Sequence, residues 1–243
     1  MNYNLRLYNI FSSLMVTVML VCDALSLKVV TIFGFNFSAS GLIFPLSFFL
    51  ACIVTEVYGY DLAGRIIWIQ MLCQAFFILT VNLFVLLPSN TTQILTPFLY
   101  LNLYENFWRI LIASSISVPL AYFTTDFVMS TLKIRGGGRF FLSRYIIANI
   151  CGKLIIVSIS YPINFHGQLS VNEIFYLCLN TFIYKMIIAF FIMPLAFFIA
   201  RLVKNIEKLD FYDYGVSYNP VLVFNSSKKG KNLYSENINR SKK

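Results

Sequence analysis

Residues 29–55 read VVTIFGFNFSASGLIFPLSFFLACIVT and contain no charged side chain. A helix that crosses the hydrocarbon core of a bilayer, which is about 30 Å thick, needs about 20 mostly apolar residues. Four further uncharged runs follow, at residues 66–104, 110–125, 154–172 and 186–200. Repeated runs of this length exclude a signal peptide followed by a soluble domain, and they predict a polytopic membrane protein.

The composition also indicates a lipid environment. Hydrophobic types make up 58% of the 243 residues and charged types 12%, whereas soluble domains are roughly 45–50% apolar and 25% charged. So few charges cannot cover a globule in water, and a bilayer removes that need. The net charge of +9 lies mostly in one loop and the tail, so we interpret it as a topology signal rather than as a nucleic-acid-binding surface.

We predict an all-α integral membrane protein, a bundle of six transmembrane helices. Strands are not expected, because the apolar runs are long and lack period-two alternation, and because backbone in lipid must satisfy its own hydrogen bonds. Residues 101–107 are predicted to be non-helical at the outer interface, and Pro162 is predicted to end the fifth helix. The predicted helices span about residues 8–32, 41–58, 65–87, 109–132, 144–160 and 174–203.

The distribution of Lys and Arg predicts the orientation. With the N-terminus in the cytoplasm, fifteen of the 19 Lys and Arg residues fall on the cytoplasmic side, and only Lys28 and Arg109 fall on the outer side. The positive-inside rule therefore predicts that both termini are cytoplasmic. We divide the chain into a membrane domain, residues 1–208, and a polar basic cytoplasmic tail, residues 209–243, that is expected to be largely disordered near anionic headgroups.

The sequence contains no recognisable catalytic set. The single histidine, His166, lies in a predicted outer loop, and the five cysteines lie in apolar segments without a Cys-x-x-Cys pair. The loop RGGGR at residues 135–139 lacks the Gly-Lys-Ser/Thr of a phosphate-binding loop. We therefore predict that the chain is not an enzyme, binds no cofactor and has no metal site.

Charged residues inside the predicted spans are the candidates for a binding site. A charge at the centre of a transmembrane helix costs about 2.5–3.5 kcal/mol on insertion scales, so each one needs a partner, water or a ligand. Two further charges lie near the outer ends of the spans. The candidates are Asp23, Glu56, Asp126, Lys153 and Lys185 within the spans, and Lys28 and Arg109 near their outer ends.

Two of these candidates have both a binding and a structural interpretation. The Glu56 carboxylate could accept two N–H bonds from the edge of a planar, amidine-like ligand, or it could pair with Arg65. Arg109 could bind a substrate carbonyl, or it could pair with Glu105.

The other candidates also have structural alternatives. Asp23 could be neutralised by Lys28, which lies five residues further along the chain. Lys153 could form a salt bridge with Asp126 across the bundle. The stem of Lys185 could extend its amine to an interface, or the amine could enter a cavity.

Several stretches resemble the vitamin-uptake-like family of queuosine-precursor transporters. They are FPLSF at residues 44–48, TEVYGY at residues 55–60, RIIW at residues 65–68 and YKM at residues 184–186. The resemblance extends over roughly residues 15–220, and its more specific parts are the TEVYGY block and the stretch from Lys185-Met186 to Asn219-Pro220.

The resemblance implies uptake of a 7-deazaguanine base across the inner membrane of a bacterium. Such bases are 7-cyano- and 7-aminomethyl-7-deazaguanine and queuine, precursors of a modified tRNA nucleoside, so the implied partners are a small heterocyclic base and the bilayer, with no direct contact to nucleic acid. A planar base would stack on Phe or Tyr rings of a cavity. The site residues that the resemblance implies are Lys28, Glu56, Arg109, Ser114 and Lys185.

The chain departs from the family's pattern at polar positions. It has Cys52 where the family usually has an acid, Asp23 where it tends to have Asn, and Lys153 and Ile156 where it usually has Gln and Asp. These changes leave open a transporter for another heterocycle or vitamin. A substrate-capture subunit with an energising ATPase partner, and a scaffold whose charges form closed pairs without a cavity, are further alternatives; the chain itself shows no ATP-binding motif.

Overall fold

The computed structural model describes residues 5–25, 29–32, 35–85, 95–224 and 230–235. Within these ranges six helices are long and apolar enough to cross a membrane, which confirms the predicted all-α bundle of six spans. In chain order the elements are α1 (Arg6–Ala24), β1 (Val29–Ile32), β2 (Phe35–Ser38), α2 (Ala39–Tyr58), α3 (Tyr60–Val85), α4 (Leu95–Arg135), α5 (Phe141–Phe165), α6 (Val171–Glu207), β3 (Phe211–Tyr212), a 3₁₀ helix (Pro220–Phe224) and β4 (Lys231–Asn232).

A short antiparallel hairpin lies between α1 and α2, where the sequence predicted helix and loop. α1 ends at Ala24 rather than near residue 32, and β1 pairs with β2 from Val29 opposite Ser38 to Ile32 opposite Phe35. The prediction of no strands is therefore wrong at this point. All four residues of β1 are β-branched, and such side chains favour extended backbone over helix.

Two proline-containing segments are more helical than predicted. α4 begins at Leu95, so residues 101–107 are helical and the prediction of an irregular segment is wrong. Pro97 falls in the first turn of α4, where a missing N–H removes no helical hydrogen bond. α5 continues through Pro162 to its end; transmembrane helices tolerate proline because neighbouring groups can satisfy the freed carbonyl.

α2 is the central helix of the bundle and packs against α1, α3, α4 and α6. Every side chain from Ser47 to Tyr58 is buried. This segment is apolar on almost all faces, the pattern expected of a helix surrounded by protein. The outer helices α3 and α6 instead expose large apolar side chains such as Phe76 and Phe191, which suits contact with lipid.

A close contact between helices occurs at Gly152 of α5. A Cβ atom at this position would overlap the hydroxyl oxygen of Thr125 in α4 and would lie 2.7 Å from a ring carbon of Phe48 in α2. Small residues allow transmembrane helices to approach closely, and close packing replaces the hydrophobic effect as the attraction between helices in lipid. Gly152 therefore sets the spacing of α5 against α4 and α2.

We call one end of the bundle the basic end; it comprises residues 56–65, 130–144 and 201–213. Here α2 turns into α3, α4 turns into α5, and α6 ends. The α2–α3 turn is made by Gly59, whose φ of +83° is a conformation that glycine adopts far more readily than other residues.

Part of the predicted tail packs against the basic end. The Asp213 carboxylate accepts hydrogen bonds from the Tyr60 backbone N–H at 3.0 Å and from the Ser130 hydroxyl, and the Trp68 indole N–H donates to the Pro220 carbonyl at 2.9 Å. Burial raises the pKa of Asp213 above its ordinary value, although the hydrogen bonds from Ser130 and Tyr60 lower this pKa. Residues 209–224 therefore pack onto the bundle.

We expect Gly152→Val to lower the thermal unfolding midpoint of the protein in detergent, because valine has no room beside Thr125 and Phe48. Overpacking costs about 1–3 kcal/mol, and each 1 kcal/mol shifts the midpoint by about 2–4 °C in a chain of this size. The control is Leu154→Val on the exposed side of α5, which should leave the midpoint nearly unchanged. Equal midpoints for the two variants would contradict the close contact.

Candidate functional site

A cavity of about 260 Å³ lies among α1, α2, α4, α5 and α6. It occupies the half of the bundle away from the basic end, since its lining comes from the end of α1, the start of α2 and the end of α5. Gln168, which follows α5, lines the cavity and is exposed. Its polar lining residues are Asp23, Ser40, Ser114, Ser117, Ser160, Tyr161, Asn164, Gln168 and Lys185.

The cavity lining includes a carboxylate and an ammonium group. Asp23 of α1 is 4% exposed, and its Oδ1 accepts a hydrogen bond from Gln74 Nε2 at 3.0 Å. The Lys185 Nζ lies 4.9 Å from the ring centroid of Phe44 and 5.6 Å from that of Tyr161, where the faces of the two rings attract a cation. The cavity therefore offers a charged acceptor and a charged donor, on α1 and α6, beside two aromatic rings.

Hydroxyl and amide groups line the α4 and α5 walls of the cavity. Ser114 Oγ donates to the Leu111 carbonyl at 3.2 Å, and Asn164 Nδ2 donates to Ser160 Oγ at 3.2 Å. Asn164 Oδ1 and Ser117 Oγ have no hydrogen-bond partner among the described residues. Aromatic rings combined with a few polar groups are typical of a small-molecule site. Within the described ranges no cluster of His, Cys, Asp and Glu could hold a metal ion.

A network of ion pairs closes the basic end. The Glu56 carboxylate lies 2.7 Å from Arg144 Nη1 and 2.6 Å from Lys204 Nζ. The Asp210 carboxylate lies 2.7 Å from Lys133 Nζ and 2.9 Å from Lys204 Nζ. We call these five residues the basic-end network. Both oxygens of Glu56 are engaged by cations, and Glu56 does not line the cavity.

Glu56 does not pair with Arg65, which was the structural alternative that the sequence left open. The turn at Gly59 starts α3 at the next residue, and Arg65 Nε donates instead to the Val223 carbonyl at 3.4 Å. Nearness along the chain suggested this pair. The actual partners of Glu56 are distant in sequence, on α5 and α6.

The predicted salt bridge between Lys153 and Asp126 is also wrong. Lys153 Nζ donates to the Lys185 carbonyl of α6 at 3.0 Å, whereas Asp126 Oδ1 accepts from Thr55 Oγ1 of α2 at 2.6 Å. The two side chains are directed at different neighbouring helices. Both are buried, and neither lines the cavity.

Arg109 lies at the surface on the side of the bundle away from the basic end. Its side chain is exposed, and Nη1 donates to the His166 carbonyl at 2.7 Å, which links α4 to the residue after α5. The side chain of Glu105, its predicted partner, lies outside the described residues. Lys28 lies outside them as well, and with it the predicted Asp23–Lys28 pair.

The structure brings together three of the predicted site residues, Asp23, Ser114 and Lys185, in one cavity. Of the other described candidates, Glu56 lies in the basic-end network and Arg109 lies at the surface. Asp126 and Lys153 lie elsewhere in the protein interior. Sequence reasoning missed Ser117 and Asn164, because uncharged polar residues are unremarkable in a membrane span. The signal that the sequence did offer for these two residues was helical spacing, because residues three or four apart lie on the same face of a helix.

Six spans, five of which surround a cavity that contains polar groups, together with a network of ion pairs at the basic end, are the architecture of a multi-pass membrane protein of the small-solute transporter class. The model of the family described as "putative vitamin uptake transporter" matches residues 38–199, and the chain belongs to that family. No curated protein and no solved structure matches the chain. Fold and family together therefore indicate transport.

We expect Glu56→Gln to lower the thermal unfolding midpoint in detergent strongly, because it leaves the buried Arg144 and the partly buried Lys204 with less opposing charge. Breaking a buried ion pair from one side costs about 3–5 kcal/mol. The control is Asp126→Asn, which also neutralises a buried acid but keeps an oxygen that can accept from Thr55. A midpoint for Glu56→Gln equal to that of the control would contradict the basic-end network.

Proposed function

We propose that this chain imports a queuosine precursor, a 7-deazaguanine base such as 7-cyano- or 7-aminomethyl-7-deazaguanine or queuine, across the inner membrane of a bacterium. Membership of the vitamin uptake family supports the import of a small solute. The TEVYGY block at residues 55–60 resembles the queuosine-precursor branch and supports the choice of ligand. The observation that carries the proposal is the cavity that holds Asp23 and Lys185 beside aromatic rings.

The size of the cavity supports a small ligand. Sites for small molecules commonly measure about 300–1,000 Å³, so a cavity of about 260 Å³ lies just below this range. A single bicyclic base is a better match than a nucleotide or a peptide.

The chemistry of the lining supports a purine-like base. Asp23 would accept N–H bonds from the amino-pyrimidinone edge, Lys185 would donate to the ring carbonyl, and the rings of Phe44 and Tyr161 would contact the planar faces. Burying such polar groups without partners costs about 2–7 kcal/mol, which these contacts offset. We assign the acceptor role to Asp23 rather than Glu56, because cations of the basic-end network hold both Glu56 oxygens.

We propose that the basic end faces the cytoplasm, as the positive-inside rule predicts. The cavity would then reach the outer side, while the basic-end network would close the inner side. This arrangement supports an outward-open state of a carrier that alternates access between the two membrane faces.

A second candidate function is the uptake of another heterocycle or vitamin. Ile156 lines the cavity at a position where the resembling family usually has an acid, so this chain offers an apolar contact in place of a charged one. Cys52, at another changed position, is buried and accepts a weak hydrogen bond from Asn149 Nδ2 at 3.5 Å. The change at Ile156 makes the cavity wall less acidic than the family pattern, whereas Cys52 lies outside the cavity lining.

The direct test is uptake in a bacterium that cannot synthesise 7-deazaguanines and lacks its own importer. Cells that express the chain receive one precursor at low concentration, and queuosine in their tRNA is measured by mass spectrometry. Queuosine that depends on the chain supports the proposal. Its absence with every precursor would favour the second candidate, which competition with a panel of labelled vitamins and bases would then test.

In this assay we expect Asp23→Asn to reduce initial uptake at least tenfold, because the variant loses the charged acceptor in the cavity. Asp126→Asn is the matched control: it is the same chemical change at a buried position outside the cavity, and uptake should stay within about twofold of wild type. Membrane abundance of both variants is measured from an affinity tag. Equal uptake by the two variants at equal abundance would remove Asp23 from the site.

A further inference from the structure

Ser117 carries a buried hydroxyl for which the described residues supply no partner. Its side chain is 0% exposed and lines the cavity from α4, and its Oγ makes no hydrogen bond within the described part of the chain. Other hydroxyls of the bundle donate to the carbonyl four residues earlier, as Thr17 and Thr125 do at 2.8 Å each. Buried polar groups nearly always have partners, so this hydroxyl needs a partner that the described residues do not supply.

A second available group lies on the α5 wall. Asn164 also lines the cavity, and its amide nitrogen is held by Ser160 while its Oδ1 has no partner among the described residues. An amide oxygen can only accept hydrogen bonds, whereas a serine hydroxyl can donate as well as accept. The two walls therefore offer an acceptor on α5 and a donor on α4.

We propose that Ser117 and Asn164 form a subsite for a ring N–H next to a ring nitrogen, and that this subsite selects the free base against its N-substituted forms. The proposal rests on the proposed function and names the substrate class more narrowly. In a free 7-deazaguanine, the pyrrole N–H donates to Asn164 Oδ1 and the neighbouring pyrimidine nitrogen accepts from the Ser117 hydroxyl. Asp23 and Lys185 line the same cavity and would face the opposite edge of the base.

These two hydrogen bonds discriminate the free base from its N-substituted forms. In a nucleoside the pyrrole nitrogen carries the sugar, so the N–H is absent and Asn164 Oδ1 stays unpaired. A site built to hydrogen-bond an N–H rejects an analogue that lacks it far more strongly than an apolar pocket rejects a change in size. The uncharged pair of side chains thus restricts the cavity to free bases.

The test compares two competitors of labelled 7-cyano-7-deazaguanine uptake: the unlabelled base and its derivative methylated at the pyrrole nitrogen. In the wild type the base should compete at least tenfold better than the methylated derivative. Ser117→Ala should weaken competition by the base about five- to tenfold. Asn164→Leu should reduce the preference for the base over the methylated derivative to about threefold or less.

Matched controls separate this role from effects on folding. Ser115→Ala is the same change on the exposed side of α4, and Asn180→Leu is the same change on the exposed side of α6; both should keep wild-type competition. Membrane abundance of every variant is measured in parallel. Because Asn164→Leu is scored as a ratio of two competitors, a loss of transporter copies does not change its outcome.

Different results would overturn the subsite, the selection for free bases and the proposed function. Wild-type uptake of the base with unchanged competition in Ser117→Ala and Asn164→Leu would overturn the subsite and leave the proposed function standing. Absence of uptake by the wild type would overturn the proposed function and the subsite together. Equal competition by the base and its methylated derivative in the wild type would overturn the selection for free bases.

Discussion

The constraint on which the structure depends is the burial of four charges, and the partial burial of a fifth on Lys204, at one end of a membrane bundle. Removing an ion from water costs several kcal/mol even in a relaxed protein, and a close opposite charge must offset that cost. In the basic-end network Glu56 and Asp210 meet Lys133, Arg144 and Lys204 at distances of 2.6–2.9 Å for the closest pairs. The charges come from α2, α4, α5, α6 and the segment after α6, so satisfying them fixes the relative positions of four helices.

Fixing one end leaves the other end able to hold a cavity. Lipid is as apolar as the helix surfaces, so close packing and polar contacts hold the helices together. Gly152 allows close packing in the middle of the bundle. At the basic end, ion pairs hold the helices together. In the opposite half, Asp23 and Lys185 line the cavity. This asymmetry between the two ends is what a carrier that opens to one side at a time requires.

The sequence was informative wherever charge was the signal. Uncharged runs predicted the six spans, and the rarity of charge within spans singled out Asp23 and Lys185, which the cavity contains. The sequence could not predict long-range ion pairs. Glu56 pairs with Arg144 and Lys204, which are 88 and 148 residues away, and no local sequence pattern connects them. The hairpin of β1 and β2 was missed because a short β-branched run is hard to distinguish from a helix end in an apolar context.

The central claim is that the ligand occupies the cavity between α1 and α6, and photoaffinity labelling tests it most directly. The purified protein in lipid nanodiscs is irradiated with an azido derivative of a 7-deazaguanine base, and the labelled peptides are identified by mass spectrometry. The account predicts labelling of peptides that contain Phe44, Tyr161 or Lys185, and loss of that labelling with excess unlabelled base. Competed labelling confined to peptides of the basic end, or labelling that the unlabelled base does not reduce, would contradict it.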